Sequence, residues 1–200
     1  MKTIFAMRHG QTRFNRDNLF SGRLEVRLTK IGTLQAQQIG KWFSKNGVVF
    51  DAVYSSPLSR AVRTAKIVCE KTGFDPKRIR VAKPLIEQDF GSWESLNSRA
   101  IEAVEGPVVS KWFSDRWSVT PRGGENYSDL ERRLKPFAQK LARSSRQTIL
   151  VVAHANIVRV LVKLLAKLNR KRTNRLTVHN NVFYRIRFKG KKRVLAHLSV

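Results

Sequence analysis

Phe5-Ala6-Met7-Arg8-His9-Gly10-Gln11-Thr12 is the stretch on which the reading of this chain turns. A short apolar run, Thr3 to Met7, ends abruptly in an arginine, a histidine and a glycine. This pattern reads as a buried strand that delivers a guanidinium and an imidazole to its own C-terminal edge, where open α/β sheets bind their ligands. Gly10 lets the chain turn away without a Cβ and permits a positive φ. Taken alone, the triplet is equally a strand followed by a surface arginine and a turn glycine. Its meaning depends on what else in the chain ends in the same way.

Working outward, a second run does so. Gln147 to Ala153 is nearly all apolar, as a central parallel strand should be, and it ends in His154. Between the two lie Asp51 to Ser56, a short strand, and Ile79 to Ala82, a third and shorter one suited to a sheet edge. Thr29 is placed as a helix N-cap before Leu34, Ile39, Trp42 and Phe43 at helical spacing, and Gly47 closes that helix. Pro57 is expected to start the next helix, which carries Arg60 and Arg63 and whose positive N-terminus suits an anion. Residues 97–119 read as helical with a break at Gly106-Pro107. Residues 126–144 read as a long helix kinked at Pro136, with Leu130, Leu134, Phe137 and Leu141 as its apolar stripe. A helix is expected from Ile157 to Leu168, then a hairpin, 182–188 and 193–198, around Lys189-Gly190-Lys191. Strands alternating with helices imply one α/β domain over residues 1–200, a three-layer α/β/α sandwich on a mostly parallel central sheet.

Composition narrows the class. No apolar run approaches the roughly 18 residues that span a bilayer. The first residues run straight into the proposed active strand, so no cleavable signal is expected. The single cysteine, Cys69, forms no internal disulfide and fits a reducing, cytoplasmic location. The charge is extreme: 40 Lys and Arg against 14 Asp and Glu, a formal net of +26. From Arg132 to Val200 there are 19 basic residues and no side-chain carboxylate. A field of this sign gathers anions, either phosphorylated small molecules or nucleic acid.

Two strands ending in histidine, with Arg8 and Arg60 at the same carboxyl edge and an acid from the loop 84–94, point to phosphoryl transfer. No His-x-His or carboxylate cluster has metal-ligand spacing, so neither metal nor cofactor is expected. A phosphate-binding Gly-Lys-Ser/Thr loop, a dinucleotide glycine fingerprint and a Gly-x-Ser-x-Gly elbow are all missing from the sequence.

The chain resembles the histidine phosphatase superfamily, also called phosphoglycerate mutase-like. The resemblance rests on Met7-Arg8-His9-Gly10-Gln11-Thr12 with Asn15, Phe20-Ser21-Gly22, Leu28-Thr29-Lys30-Ile31-Gly32 and Tyr54-Ser55-Ser56-Pro57-Leu58-Ser59-Arg60-Ala61. It continues through Leu85-Ile86-Glu87 with Gly91 and Trp93-Glu94, Gly124-Glu125-Asn126, and Val151-Val152-Ala153-His154, in this order. It implies that His9 is the nucleophile and becomes phosphohistidine. Arg8, Arg60 and His154 then surround the phosphoryl oxygens, and Glu87 acts as general acid and base. Asn15, Ser21, Gly22, Ala155 and Asn156 fall where the family contacts substrate or phosphate.

Departures from the family pattern bear on the branch. Ala155 stands where glycine usually follows the second histidine, Ser95 where glycine often follows Trp-Glu, and Phe90 where mutases tend to carry tyrosine. Mutases are also expected to be longer than 200 residues. A metal-independent phosphatase acting on a phosphorylated small molecule is therefore favoured over mutase-type transfer. A third reading is a binding protein for RNA or another polyanion, through Arg159, Lys163 and Lys167 along one helix face and the cluster Arg170, Lys171, Arg172 and Arg175.

Overall fold

The computed structural model describes residues 1–190 and 192–200. Six strands form one sheet: β1 (Thr3–Arg8), β2 (Ala52–Ser55), β3 (Arg80–Val81), β4 (Thr148–Ala153), β5 (Val182–Lys189) and β6 (Lys192–Ser199), in the order β3-β2-β4-β1-β5-β6. The four at the β3 end run parallel, whereas β5 pairs antiparallel to β1 and β6 antiparallel to β5. The hairpin was expected, and Lys191 at its tip lies outside the described residues.

Strand alternation explains the layers. Ile4 and Ala6 of β1 and Ile149, Val151 and Ala153 of β4 face one side. There they pack against α6 (Tyr127–Arg143) and α7 (Ala155–Ala166). Phe5, Met7, Leu150 and Val152 face the other side, against α2 (Lys30–Lys45) and α3 (Ser59–Thr72). Both faces are covered, which is why the parallel strands read as continuous apolar runs. Each fully buried Leu or Phe in these layers contributes about 1.5–3 kcal/mol. Helix α6 carries its expected stripe of Leu130, Leu134, Phe137 and Leu141 and continues past Pro136. Asn126 caps it, accepting from Ser128 N–H and Asp129 N–H.

Several boundaries differ from expectation. Helix α3 begins at Ser59 rather than Pro57, because Leu58 is still extended at φ −67°, ψ 135°. Its N-terminus is not open to a ligand anion: the Glu25 carboxylate already accepts from Ser59 N–H and Oγ–H. Helix α7 begins at Ala155, two residues early, with His154 as its N-cap, and it stops at Ala166. Lys167 then turns left-handed at φ 57°, which removes it from the face shared by Arg159 and Lys163. Gly10 is not at positive φ. A Cβ there would collide with the carbonyl oxygen of Gly32, so the glycine is required by close approach of two backbones.

Ser95 sits at φ 68°. A side chain in this region costs roughly 1–2 kcal/mol, and glycine removes that cost while adding entropy to the unfolded chain. Ser95→Gly is therefore expected to stabilise the protein by about 0.5–1 kcal/mol, read as a higher urea midpoint at unchanged slope. A lower midpoint would mean that the serine side chain is anchored more strongly than its backbone is strained.

Candidate active site

The register of β1 and β4 builds the centre. Arg8 is paired with Ala153, so the next residues, His9 and His154, leave the sheet side by side. The His9 N–H donates to the Ala153 carbonyl at 2.9 Å, and the two imidazole rings lie 5.0 Å apart. Both are essentially buried. The His9 Nδ1 lies 2.7 Å from the Gly10 carbonyl oxygen. A carbonyl only accepts, so Nδ1 carries the proton and Nε2 carries the lone pair. Burial, followed by the neighbouring Arg60 and Arg8 charges, holds His9 well below the usual imidazole range. The ring is therefore neutral at physiological pH, with Nε2 unprotonated.

His154 is also held well below that range, by burial first and then by Arg60, His9, Arg8 and Arg133. Its Nε2 is 2.7 Å from Ser56 Oγ, while its buried Nδ1 has no hydrogen-bond partner among the described residues. If the Ser56 hydroxyl donates to Nε2, the Nδ1–H is left as a donor into the site.

Three charged groups complete the centre. Arg60 is 1% exposed, and its two terminal nitrogens donate to the carbonyls of Leu24 (2.6 Å) and Gly22 (2.7 Å). Arg8 makes only a 3.4 Å contact to the Val178 carbonyl, and burial lowers it to about 10, so it stays charged. Neither arginine forms an ion pair among the described residues. Glu87 is raised by burial, against the opposing pull of the Gln88 N–H, Arg60, Arg8 and Arg133. Its loop is pinned by Arg133, which donates to the carbonyls of Pro84 (2.7 Å) and Ile86 (2.9 Å) and pairs with Glu125 at 2.9 Å.

The five residues expected to carry chemistry, Arg8, His9, Arg60, Glu87 and His154, are thus brought to one sheet edge. A cleft of about 440 Å³ opens there, and Asn15, Ser21, Ala155 and Asn156 line it together with Arg8 and Glu87. Two of the secondary expectations take a different form. Gly22 does not line the cleft but lends its carbonyl to Arg60. The Asn156 side chain lines the cleft and is also tied into the frame: Oδ1 accepts from Tyr127 Oη–H and Arg159 Nη1–H, and one Nδ2–H donates to Gln88 Oε1 at 2.8 Å. It braces the acid loop against α7. Ser56, Arg133 and Asn180, whose Nδ2 donates to the His9 carbonyl at 2.7 Å, were not singled out in the sequence. Each acts through a contact from a distant segment that no local pattern encodes.

The expected helical stripe is interrupted, while Lys171, Arg172 and Arg175 of the basic cluster are exposed. Arg159 turns into the cleft and donates to the Leu176 carbonyl at 3.0 Å. Lys163 is bound to Glu131, Lys167 leaves the helix, and the Arg170 guanidinium lies over the Trp117 ring at 4.8 Å.

A family model described as histidine phosphatase superfamily (branch 1) matches residues 4–200, and the chain belongs to that superfamily. A 2,3-bisphosphoglycerate-dependent phosphoglycerate mutase of Azorhizobium caulinodans is 33% identical over 171 residues, covering 84% of this chain and 83% of the relative. The two lengths are therefore nearly equal, and the expectation that size separates this chain from mutases fails. An alpha-ribazole phosphatase of Shigella flexneri superposes with a TM-score of 0.85 at 27% identity, covering 99% of this chain and 96% of its own. A mycobacterial glucosyl-3-phosphoglycerate phosphatase superposes with a TM-score of 0.85 at 25% identity, over 100% and 98% of the two chains. The relatives place the chain among enzymes of phosphate esters, phosphatases or mutases.

Depressed histidines have a signed consequence for stability. The unfolded rings take up protons near pH 6.5 and the folded ones only well below, so stability present above that pH is lost as pH falls through the window. NMR of ring-labelled protein is expected to show His9 still neutral, with its proton on Nδ1, at the pH near 6.5 where a free imidazole is half protonated. A titration of His9 near 6.5 would contradict the burial argument.

Proposed function

We propose that this protein is a metal-independent phosphomonoester hydrolase that works through a phosphohistidine on His9. The observation that carries the proposal is the 2.7 Å contact of His9 Nδ1 with the Gly10 carbonyl, which leaves Nε2 unprotonated in the field of Arg60 and Arg8. In the first step Nε2 attacks phosphorus, the phosphorus–oxygen ester bond breaks, and Glu87 gives its proton to the leaving oxygen. The raised Glu87 carboxyl retains a proton at higher pH than an ordinary glutamate, as a proton donor requires. In the second step Glu87 takes a proton from water, the resulting hydroxyl oxygen bonds to phosphorus, and the nitrogen–phosphorus bond breaks to release phosphate. Arg8, Arg60 and the His154 Nδ1–H stabilise the oxygens on which charge is spread. The first N–H groups of α7, a 12-residue helix that starts at the cleft, add a positive dipole end.

Mutase-type transfer is the second reading, favoured by the names of the relatives at 32–34% identity. It differs only in what accepts the phosphoryl group of His9. Hydrolysis is favoured by the two phosphatases that superpose over nearly the whole chain and by Phe90 in place of a tyrosine.

His9→Ala is expected to lower turnover of a phosphomonoester by roughly a thousandfold or more, since no other residue accepts the phosphoryl group. Acid quenching of wild type with labelled substrate should leave the label on His9 and release inorganic phosphate on chase. Label on a serine, or label returned to a second phosphorylated product instead of to water, sinks the hydrolase reading. EDTA should leave the activity intact.

Glu87→Gln separates the acid role from a merely electrostatic one. An alkyl phosphate needs its leaving oxygen protonated and should slow by about 100-fold or more, whereas an activated aryl phosphate should slow far less. Equal losses on both substrates would remove Glu87 from the acid role.

A further inference from the structure

The end of the sheet opposite the catalytic edge carries a separate cavity of about 340 Å³. Strand β5 forms one wall. Alternation sends Tyr184 and Ile186 to the α7 side of the sheet and Phe183, Arg185 and Arg187 to the side of α2. Helix α2 packs on the first of these, with the Trp42 and Phe183 ring centroids 4.9 Å apart, and it ends at Lys45. The chain then turns at Gly47, φ 63°, and passes through Val48 and Val49 toward β2. Arg185 and Arg187 line the space between strand and turn, together with the apolar Phe5, Trp42, Val48 and Val49. Val49 is 75% exposed there, an apolar side chain left in water.

No acidic side chain lines this cavity, and neither arginine forms an ion pair among the described residues. The buried Arg185 Nε has no hydrogen-bond partner among them either. Carbonyls at a helix end are the common neutral partners of such a group, but here they are engaged. Those of Trp42, Phe43 and Ser44 accept from the N–H groups of Asn46, Val48 and Gly47, and Trp42 also from Asn46 Nδ2–H. Arg187 stands near enough to depress Arg185 electrostatically, after burial itself. Two guanidiniums on one strand face, with a desolvated donor and no counter-charge, are matched by an oxyanion that accepts from both. Their two full charges outweigh the roughly half charge at the negative end of α2.

The cavity is no part of the catalytic cleft, with which it shares no lining residue. Thr3 and Thr148, which begin β1 and β4, line it. At about 3.3 Å per residue, the five steps from Thr3 to Arg8 separate it from the catalytic edge by roughly 16 Å.

We infer that this cavity is a second ligand site, for a small aromatic oxyanion whose carboxylate or phosphate head is held by Arg185 and Arg187 and whose ring covers Trp42 and Val49. The volume falls in the range of small-molecule sites. The inference stands on its own, whatever reaction the catalytic edge performs.

Binding tests it without turnover, using 2-naphthoate, its uncharged isostere 2-naphthamide, and 2-naphthylmethylphosphonate. Calorimetry on wild type is expected to give naphthoate about 10-fold tighter binding than the amide, or more, as charge-assisted hydrogen bonds imply. In nitrogen-15 spectra the backbone signals of Asn46 to Val49 should shift with naphthoate. Arg185→Gln combined with Arg187→Gln should bring the ratio close to one. If that double variant melts early, Arg187→Gln alone, at a half-exposed position, should still lower it. The phosphonate, followed at the same four signals, separates the two heads: tighter binding than naphthoate assigns the site to phosphate, weaker binding to carboxylate. A ratio near one in wild type overturns the inference, as do shifts confined to His9, Asn180 and their neighbours. A ratio that survives both glutamine substitutions also overturns it, since the preference then belongs to the general field of the +26 protein.

Discussion

The in-register pairing of β1 with β4 is the constraint on which the site depends. Because Arg8 faces Ala153 across a parallel ladder, the first residues past the sheet are both histidines, and the His9 N–H closes onto the Ala153 carbonyl. A slip of one residue would exchange the side chains that β4 presents to its two packed layers and part the two rings. That register is enforced by two apolar layers, Ile149, Val151 and Ala153 on one side and Leu150 and Val152 on the other. The chemistry at the sheet edge is thus held in place by packing well below it. The Gly10–Gly32 approach adds a local clamp: the chain leaves β1 so close to the start of α2 that neither residue tolerates a Cβ.

From that geometry the electrostatics follow. Four of the five central groups disfavour their charged forms through burial, and the fifth, Arg60, does so less completely because Glu87, Glu25 and Glu94 pull the other way. The histidines respond by staying neutral and the carboxyl by holding its proton longer, while the arginines, with much higher intrinsic basicity, keep their charge. The result is a site with cationic walls, neutral imidazoles and a carboxyl that holds its proton to higher pH than an ordinary glutamate, a combination that suits the proposed reaction of a phosphate dianion. The arginines rest on backbone carbonyls and not on carboxylates. A carbonyl orients a guanidinium without neutralising it, so its field remains available to the phosphoryl oxygens.

Much of this was legible in the sequence, and the reason is periodicity. The strands Thr3–Arg8 and Thr148–Ala153 are continuous apolar runs, and each ends in the residue that matters. The stripe of α6 is equally plain. Helix starts were less legible: Pro57 marked the turn correctly, yet the chain stayed extended through Leu58, and His154 rather than Ile157 set the start of α7. The long-range supports were not legible at all. Ser56 reaching His154, Arg133 reaching the backbone of the Glu87 loop, and Asn180 reaching His9 each join segments 46 to 171 residues apart, and nothing in local pattern encodes such meetings. Asn156 carries two parts at once: it stands at a position that suggests ligand contact and lines the cleft, and it also joins Tyr127, Arg159 and Gln88.

The charge of the chain is where composition says least about place. A surplus of cations suggests a field that gathers anions. Some of the basic residues are bound to partners that carry no formal charge. Lys2 donates to the carbonyls of Leu141, Ala142 and Ser144 at the C-terminal end of α6, where the helix dipole is negative. Arg133 ties down the Pro84 and Ile86 carbonyls, Arg159 the Leu176 carbonyl, and Arg60 those of Gly22 and Leu24. Arginine and lysine serve here as donors that fasten loops to the frame, a use that a carboxylate count cannot detect. What remains of the charge matters by location: Arg8 and Arg60 act on the two buried histidines over ångströms, in surroundings that screen little. A surface lysine acts across a Debye length of about 8 Å in physiological salt. Position, and not the net +26, therefore sets how strongly each cation acts on a nearby group.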